Sequence, residues 1–221
     1  VEDAVNLGWK LAAVCTGWGG ANLLASYEAE RRSYGVKNVN YARGFATSVG
    51  TVPVTPEIER DTPEGRAERA TVGARLADHA YREFVIPGIQ LGVCYDGSPI
   101  VVPDDTAPPT LEPTRYVPFA TPGARAPHVW LGDGRALFDV FGLEFTLLRL
   151  GGAIADATAL QRAAAARGVP LSVLDVPGEA AREHYARDLA LVRPDHYVAW
   201  RGNALPDDCL ALVDRARGAV Q

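Results

Sequence analysis

Between Pro99 and Pro127 the chain carries eight prolines in 29 positions. Each proline fixes its own φ, lacks an amide donor and biases the preceding residue toward extended backbone. Neither a helix nor a central strand can run through such a stretch. It reads as an extended linker or wrapping segment, and it divides the 221 residues into a part before it and a part after it.

Ahead of the prolines the pattern is helical. Residues 1–15 read as a helix with Glu2, Asp3 and Asn6 at its front, where carboxylates suit the positive end of the helix dipole. Val5, Leu7, Trp9, Leu11, Ala12 and Val14 cover more than one face, so this helix is expected to be buried on two sides. Thr16-Gly17-Trp18-Gly19-Gly20 ends it. A longer helix is expected over residues 22–46, with Leu23, Leu24, Tyr27, Tyr34, Val39 and Tyr41 as its apolar stripe. Its charges Glu28, Glu30, Arg31 and Arg32 stand three and four apart and read as a solvated face. Residues 48–63 are loop-like, residues 64–84 helical, and residues 89–95 have strand composition before a turn at Asp96-Gly97-Ser98-Pro99.

Beyond the prolines the rhythm changes. Residues 128–131 predict a short strand, residues 136–141 a helical turn or two, and residues 145–150 and 171–176 two core strands around an Ala-rich helix at 157–167. Leu189–Val192 and residues 197–200 flank Arg193-Pro194-Asp195-His196 and predict a hairpin. Residues 206–216 close the chain with an amphipathic helix, a proline in its first turn. The expected fold class is therefore α/β: a helical arm followed by a thioredoxin-like domain with a mixed central sheet. Thioredoxin chemistry needs a C-x-x-C at the helix after the first core strand. Here that place reads Leu150-Gly151-Gly152-Ala153-Ile154-Ala155-Asp156, without cysteine, so redox exchange is not expected.

Composition narrows the function classes. Acid exceeds base by 27 to 22, a net charge of −5, which disfavours nucleic acid as a partner. No apolar run approaches the ~18–20 residues of a membrane span. Cys15, Cys94 and Cys209 lie far apart and the four histidines do not cluster with them, so neither a disulfide scaffold nor a metal site is expected. Reduced thiols and an acidic start fit a cytoplasmic protein. The chain has no methionine and opens on Val1, and it is expected to be a piece of something longer.

Isolated constellations are weak. His184 and Asp188 stand four apart and read as a surface ion pair, His128 as a structural hydrogen-bonder, and Asp104-Asp105 as solvated acids. Gly17-x-Gly19-Gly20 follows a helix rather than a strand, which is the wrong context for a dinucleotide loop.

Longer motifs carry a resemblance. Val1-Glu2-Asp3-Ala4-Val5-Asn6-Leu7-Gly8-Trp9-Lys10-Leu11-Ala12 resembles a helix of the class A FAD-dependent aromatic hydroxylases, and Leu24-Ala25-Ser26-Tyr27-Glu28-Ala29-Glu30-Arg31-Arg32 resembles that family's next signature. Residues 90–100, residues 122–128 and Leu191-Val192-Arg193-Pro194-Asp195 with Tyr197-Val198-Ala199-Trp200-Arg201 resemble its phenol hydroxylase and 3-(3-hydroxyphenyl)propionate hydroxylase branch.

The resemblance implies a C-terminal portion of such an enzyme: residues 1–98 the tail of the FAD- and substrate-binding part, 99–127 a linker, and 128–221 a thioredoxin-like domain. It implies FAD as cofactor, NAD(P)H as co-substrate and a phenolic substrate, with the G-x-G-x-x-G loop for FAD lying outside these residues. Val1 and Asp3 are the cofactor-binding candidates, at a helix end that would face the flavin edge gaining negative charge on reduction. Asn6 is expected to pack with a satisfied amide. No catalytic residue is assigned. A homodimer is an expected assembly. The other reading of the chain is a non-catalytic thioredoxin-like module for dimerisation or interaction.

Overall fold

A computed structural model describes residues 1–152 and 155–220. Two compact units divide the chain: residues 1–32, 92–110 and 117–221 form one, and residues 33–91 and 111–116 the other.

The first unit is built on a four-stranded sheet. β1 (Phe145–Leu150), β2 (Leu171–Val176), β3 (Leu189–Val192) and β4 (Val198–Gly202) lie in the order β2-β1-β3-β4. β1 and β2 run parallel, with Phe145 opposite Leu171 and Leu150 opposite Val176, joined by a crossover through α5 (Thr158–Ala166). β3 is antiparallel to both β1 and β4. α6 (Glu179–Tyr185) lies between β2 and β3 in sequence, and α7 (Cys209–Ala216) follows β4. This is the thioredoxin-like arrangement with a mixed sheet. Part of the stretch where the cysteine pair would stand, Ala153 and Ile154, lies outside the described residues.

Apolar residues on both sides of β1 bury both faces of the sheet. Phe145 and Leu147 pack with Leu160 and Ala164 of α5 and Leu212 and Val213 of α7. Leu148 and Leu150 pack on the other side with Ala181 and Tyr185 of α6 and with Leu137. Asp208 caps α7 by accepting the Ala211 N–H at 2.8 Å. The helix thus starts at Cys209, and Pro206 lies outside it rather than in its first turn.

The helical start belongs to this same unit. α1 (Glu2–Cys15) buries Asn6, Trp9, Lys10 and Ala13, a single stripe at helical spacing. Trp9, Trp18 and Phe145 make a three-ring cluster with centroids 5.9–6.1 Å apart. Burial on two sides was expected, but Val5, Leu11 and Val14 are exposed. Polar Asn6 and Lys10 turn inward instead, because buried carboxylates await them.

The proline-rich stretch wraps against the sheet. Ile100, Val101, Ala120, Ala124 and Ala126 are buried, the Val102 N–H donates to Ala199 O, and the Gly123 N–H donates to Val198 O. Residues 128–131 make only an isolated bridge, Trp130 with Ala136, where a strand was expected. Pro127 removes a donor beside the run and Gly132-Asp133-Gly134 turns the chain back at once.

α2 (Ala25–Val49) starts in the first unit and continues in the second from Ser33. The second unit also holds a 3₁₀ turn (Pro56–Glu59), α3 (Pro63–Phe84) and α4 (Pro87–Leu91). Thr62 caps α3 by accepting the Gly65 N–H at 3.2 Å, and Tyr41 of α2 donates to Arg82 O of α3 at 2.7 Å. α4 overturns the strand expected over residues 89–95, of which only Cys94 forms a bridge, with Ala124. Pro87 starts a helical turn with a preset φ. Gly88 lets that turn press on Glu112, whose carbonyl oxygen would lie 1.8 Å from any Cβ.

Candidate functional site

Val1 stands immediately before α1 and makes no side-chain hydrogen bond to it. The two carboxylates of the first turn instead meet one guanidinium. Arg31 of α2 donates from Nε to Asp3 Oδ1 at 2.7 Å, from Nη2 to Glu2 Oε2 at 3.0 Å and from Nη1 to the Tyr95 hydroxyl at 3.1 Å. Arg31 is buried while the Asp3 side chain is 65% exposed. Burial alone would weaken Arg31's hold on its proton; the Asp3 hydrogen bond and the facing groups more than reverse this and raise its pKa. Of the two candidates read from sequence, Asp3 is thus an ion-paired side chain in the first turn of α1, and Val1 is the residue just before that turn.

About two turns further along α1 lies a buried charge network. Lys10 of α1, Glu30 of α2, and Arg193 and Asp195 of the β3–β4 turn are buried together, two cations against two anions. Glu30 Oε1 accepts from Arg193 Nη1 and from Ser98 Oγ, both at 2.6 Å. Glu30 Oε2 accepts from Lys10 Nζ and Asn6 Nδ2 at 2.7 Å and from Arg193 Nη2 at 3.0 Å. Asp195 accepts from Arg193 Nε at 2.9 Å, from Arg193 Nη2 at 2.5 Å and from the Trp9 indole at 2.9 Å. The rings of Trp9, Tyr95 and Tyr197 surround the Arg193 guanidinium at 5.3–5.7 Å.

Burial by itself would raise the pKa of Glu30, but the Arg193 charge and its hydrogen bonds hold it down at about 2. Lys10 is lowered to about 8, by burial first and by the neighbouring Arg193 charge second. Burial raises Tyr95 and Tyr197, so both stay protonated at neutral pH. A set of fully committed charges suits holding elements in register; it offers no free base or nucleophile.

The solvated charge run expected on α2 is half correct. Glu28 and Arg32 pair at the surface at 2.9 Å, whereas Glu30 and Arg31 are buried. Their partners lie in distant sequence, which spacing along one helix does not reveal. Asn6 is also only half as expected: its amide nitrogen is bonded but its buried Oδ1 has no partner among the described residues.

Other sequence candidates come to structural ends. The Gly17 N–H donates to Val14 O, Trp18 and Gly19 to Ala13 O, and Gly20 to Arg217 O, leaving this turn no donors for a phosphate. Asp188 pairs with Arg182 at 2.9 Å, not with His184 as expected. Asp104 is bound by Arg201 at 2.8 Å rather than solvated, while Asp105 is exposed. His128 stacks on Phe138, and its Nδ1 is buried without a partner among the described residues.

Ser48 Oγ lies 3.0 Å from His79 Nδ1, and His79 Nε2 lies 3.2 Å from Glu83. This row resembles a nucleophile relay, but the Ser48 hydroxyl also donates to Phe45 O at 3.1 Å. It sits in the last turn of a helix, where carbonyl oxygens stand in place of oxyanion donors. Among the described residues no cluster of three or more His, Cys, Asp or Glu could hold a metal, and no helix is long and apolar enough to cross a membrane.

Known proteins resemble this chain over nearly its whole length. The family model for the C-terminal part of aromatic-ring hydroxylases matches residues 120–219, and a FAD-binding-domain model matches residues 1–42. The chain belongs to the class A FAD-dependent aromatic hydroxylase family. Over its whole length it is 35% identical to the FAD-dependent monooxygenase opdD of Penicillium oxalicum, covering 44% of that protein. It is 30% identical to a phenol 2-monooxygenase of a Pseudomonas species, with 99% of this chain and 41% of that protein aligned.

Among solved structures, the rebeccamycin biosynthetic enzyme RebC with reduced flavin matches at TM-score 0.89 and 39% identity, over 99% of this chain and 41% of that one. The flavin-dependent monooxygenase PieE, in complex with FAD and substrate, matches at TM-score 0.75 and 29% identity, over 99% and 42%. The chain therefore spans about two fifths of the length of the relatives it matches.

Proposed function

We propose that this chain forms the C-terminal part of a flavoprotein monooxygenase that hydroxylates a phenolic aromatic substrate with FAD, NAD(P)H and O₂. The observation that carries the reading is the first turn of α1, fixed by Arg31 and inside the segment matched by the FAD-binding model. Bound FAD would supply the electron transfer and oxygen activation. Val1 and Asp3 would meet one edge of its ring system, with Asp3 held in place by Arg31. The turn at residues 17–20 does not fit its phosphates, because its amides are spent within the chain.

The thioredoxin-like domain has a supporting part in this reading: its β3–β4 turn seats α1 through Arg193 and Asp195. Residues 1–98 would then be the end of the FAD- and substrate-binding part, residues 99–127 its connection, and residues 128–221 the terminal domain. The apolar side chains Val39, Leu76 and Phe84, exposed on α2 and α3, support a homodimer. The acidic balance supports a small-molecule substrate rather than nucleic acid. The spaced cysteines support a reducing, cytoplasmic setting.

The test is turnover by the full-length protein with NAD(P)H, O₂ and a panel of phenols, followed by mass analysis. A product with one added oxygen atom, formed at the expense of NAD(P)H, is the expected result. NAD(P)H left unconsumed, with every phenol recovered unchanged, contradicts the reading.

A further inference from the structure

Residues 217–219, just after α7, close on the turn between α1 and α2. The Gly20 N–H donates to Arg217 O at 2.7 Å, the Asn22 N–H to Gly218 O at 2.8 Å, and Arg217 Nη1 to Trp18 O at 3.3 Å. Gly218 has φ +73°, and a Cβ on it would stand 2.6 Å from the Leu23 backbone. The two backbones meet here with no side chain between them.

This strap is itself braced by the thioredoxin-like domain. The Gly218 and Ala219 N–H groups donate to Arg215 O and Asp214 O of α7. The Asp214 carboxylate accepts from Arg217 Nε at 2.8 Å and from Arg167, the residue after α5, at 2.8 and 2.9 Å. Elsewhere on the same two helices, Arg193 and Asp195 of the β3–β4 turn hold Glu30 and Trp9. One domain thus grips the α1–α2 pair at two separate places.

The apolar contacts agree. Trp9, Ala13, Trp18 and Leu23 are buried in one cluster with Phe145, Leu191 and Leu212. Residues 1–32 share a compact unit with the sheet, although the FAD-binding model matches them together with the next stretch of α2. A segment opens by itself only where few buried contacts tie it to the core. This pair is tied throughout, so it opens when the sheet opens or when the strap is displaced.

We infer that residues 217–219 are a latch through which retention of FAD depends on the thioredoxin-like domain. While that domain is folded, the strap holds the α1–α2 pair in shape; when the domain unfolds or the strap is pushed off, the pair is freed and FAD leaves. The inference rests on the flavin reading above and assigns FAD no contact with the strap.

The experiment is a urea titration of the full-length holoprotein with two probes: flavin fluorescence for FAD release, and pulsed hydrogen exchange of peptides from β1 and β3 for the sheet. Val176 packs on the sheet face away from α1, among Leu148, Leu150, Ala181 and Tyr185. Val176→Ala is expected to lower both midpoints together by about 1 M. Gly218→Ala strikes only the strap, and is expected to lower the FAD-release midpoint by about 1 M while the sheet peptides stay protected. If Gly218→Ala gives no holoprotein, Arg217→Ala carries this arm, with a smaller shift of the same sign.

A Val176→Ala protein that loses its sheet at lower urea but keeps FAD to the wild-type midpoint overturns the inference. So does a strap variant that releases FAD at the wild-type midpoint. A wild-type protein without FAD overturns the flavin reading, and this inference with it.

Discussion

Arg193 holds Glu30 by two parallel N–H···O contacts of 2.6 and 3.0 Å, although the two residues stand 163 positions apart. One belongs to the turn that closes the sheet and the other to the second helix. Lys10 and Asp195 complete the set, so the buried charges sum to zero. Buried ion pairs add little net stability when whole, because desolvation offsets the attraction, but they are costly to halve.

Removing Arg193 alone should therefore be severe. Arg193→Met leaves two buried carboxylates against one ammonium, and a loss of about 3–5 kcal/mol is expected in urea unfolding. Arg193→Met combined with Glu30→Gln leaves Lys10 and Asp195 balanced. The double variant is expected to be more stable than Arg193→Met despite its extra substitution. Simple additivity of the two losses would argue against a charge-balanced network.

The pH dependence follows from two groups of that network. Glu30 has its pKa lowered from 4.5 to about 2 on folding. Its contribution, about 3 kcal/mol, is present above pH 4.5 and lost as pH falls toward 2. Lys10 is lowered from 10.5 to about 8, so the unfolded chain binds the proton more tightly in that window. Stability should accordingly rise between pH 8 and 10.5 as the buried ammonium gives up its proton. Urea midpoints across pH should show the acid limb flattened in Glu30→Gln and the alkaline limb flattened in Lys10→Met. Slopes identical to wild type would remove these two residues from the account of pH stability.

Two glycines of one turn should respond differently. A Cβ on Gly20 would stand 2.3–2.4 Å from the backbone of Gly218 and Ala219, which has no room to move aside. Gly17 has φ +85° but nothing within 4 Å of a Cβ. Gly20→Ala is expected to cost about 3 kcal/mol by overpacking, and Gly17→Ala only about 1 kcal/mol of backbone strain. Thermal unfolding of the two variants checks the order; equal losses would mean that the close approach at Gly20 is not a fixed part of the fold.

Elements that depend on local pattern were legible in the sequence. The apolar runs at 145–150, 171–176 and 189–192 are strands, and the prolines after Pro99 do exclude regular structure. Residues 89–95 misled because their β-branched and aromatic content outweighed Pro87, which began a helical turn instead. The network was the larger omission. Arg193 and Asp195 look like turn residues, and Glu30 and Arg31 like a solvated pair, because every partner that buries them comes from far along the chain. The i,i+4 rule sees only one helix at a time, and it correctly found Glu28 with Arg32. Asp3 was legible as a helix-start carboxylate, whereas Arg31, which fixes it, was not.

A visible spectrum of the full-length protein tests most directly whether these residues serve a flavin. A flavoprotein of this family shows an oxidised-flavin band near about 450 nm that NAD(P)H bleaches, and that is the expected result. A full-length protein that is colourless as purified, and stays so after incubation with FAD, would contradict it.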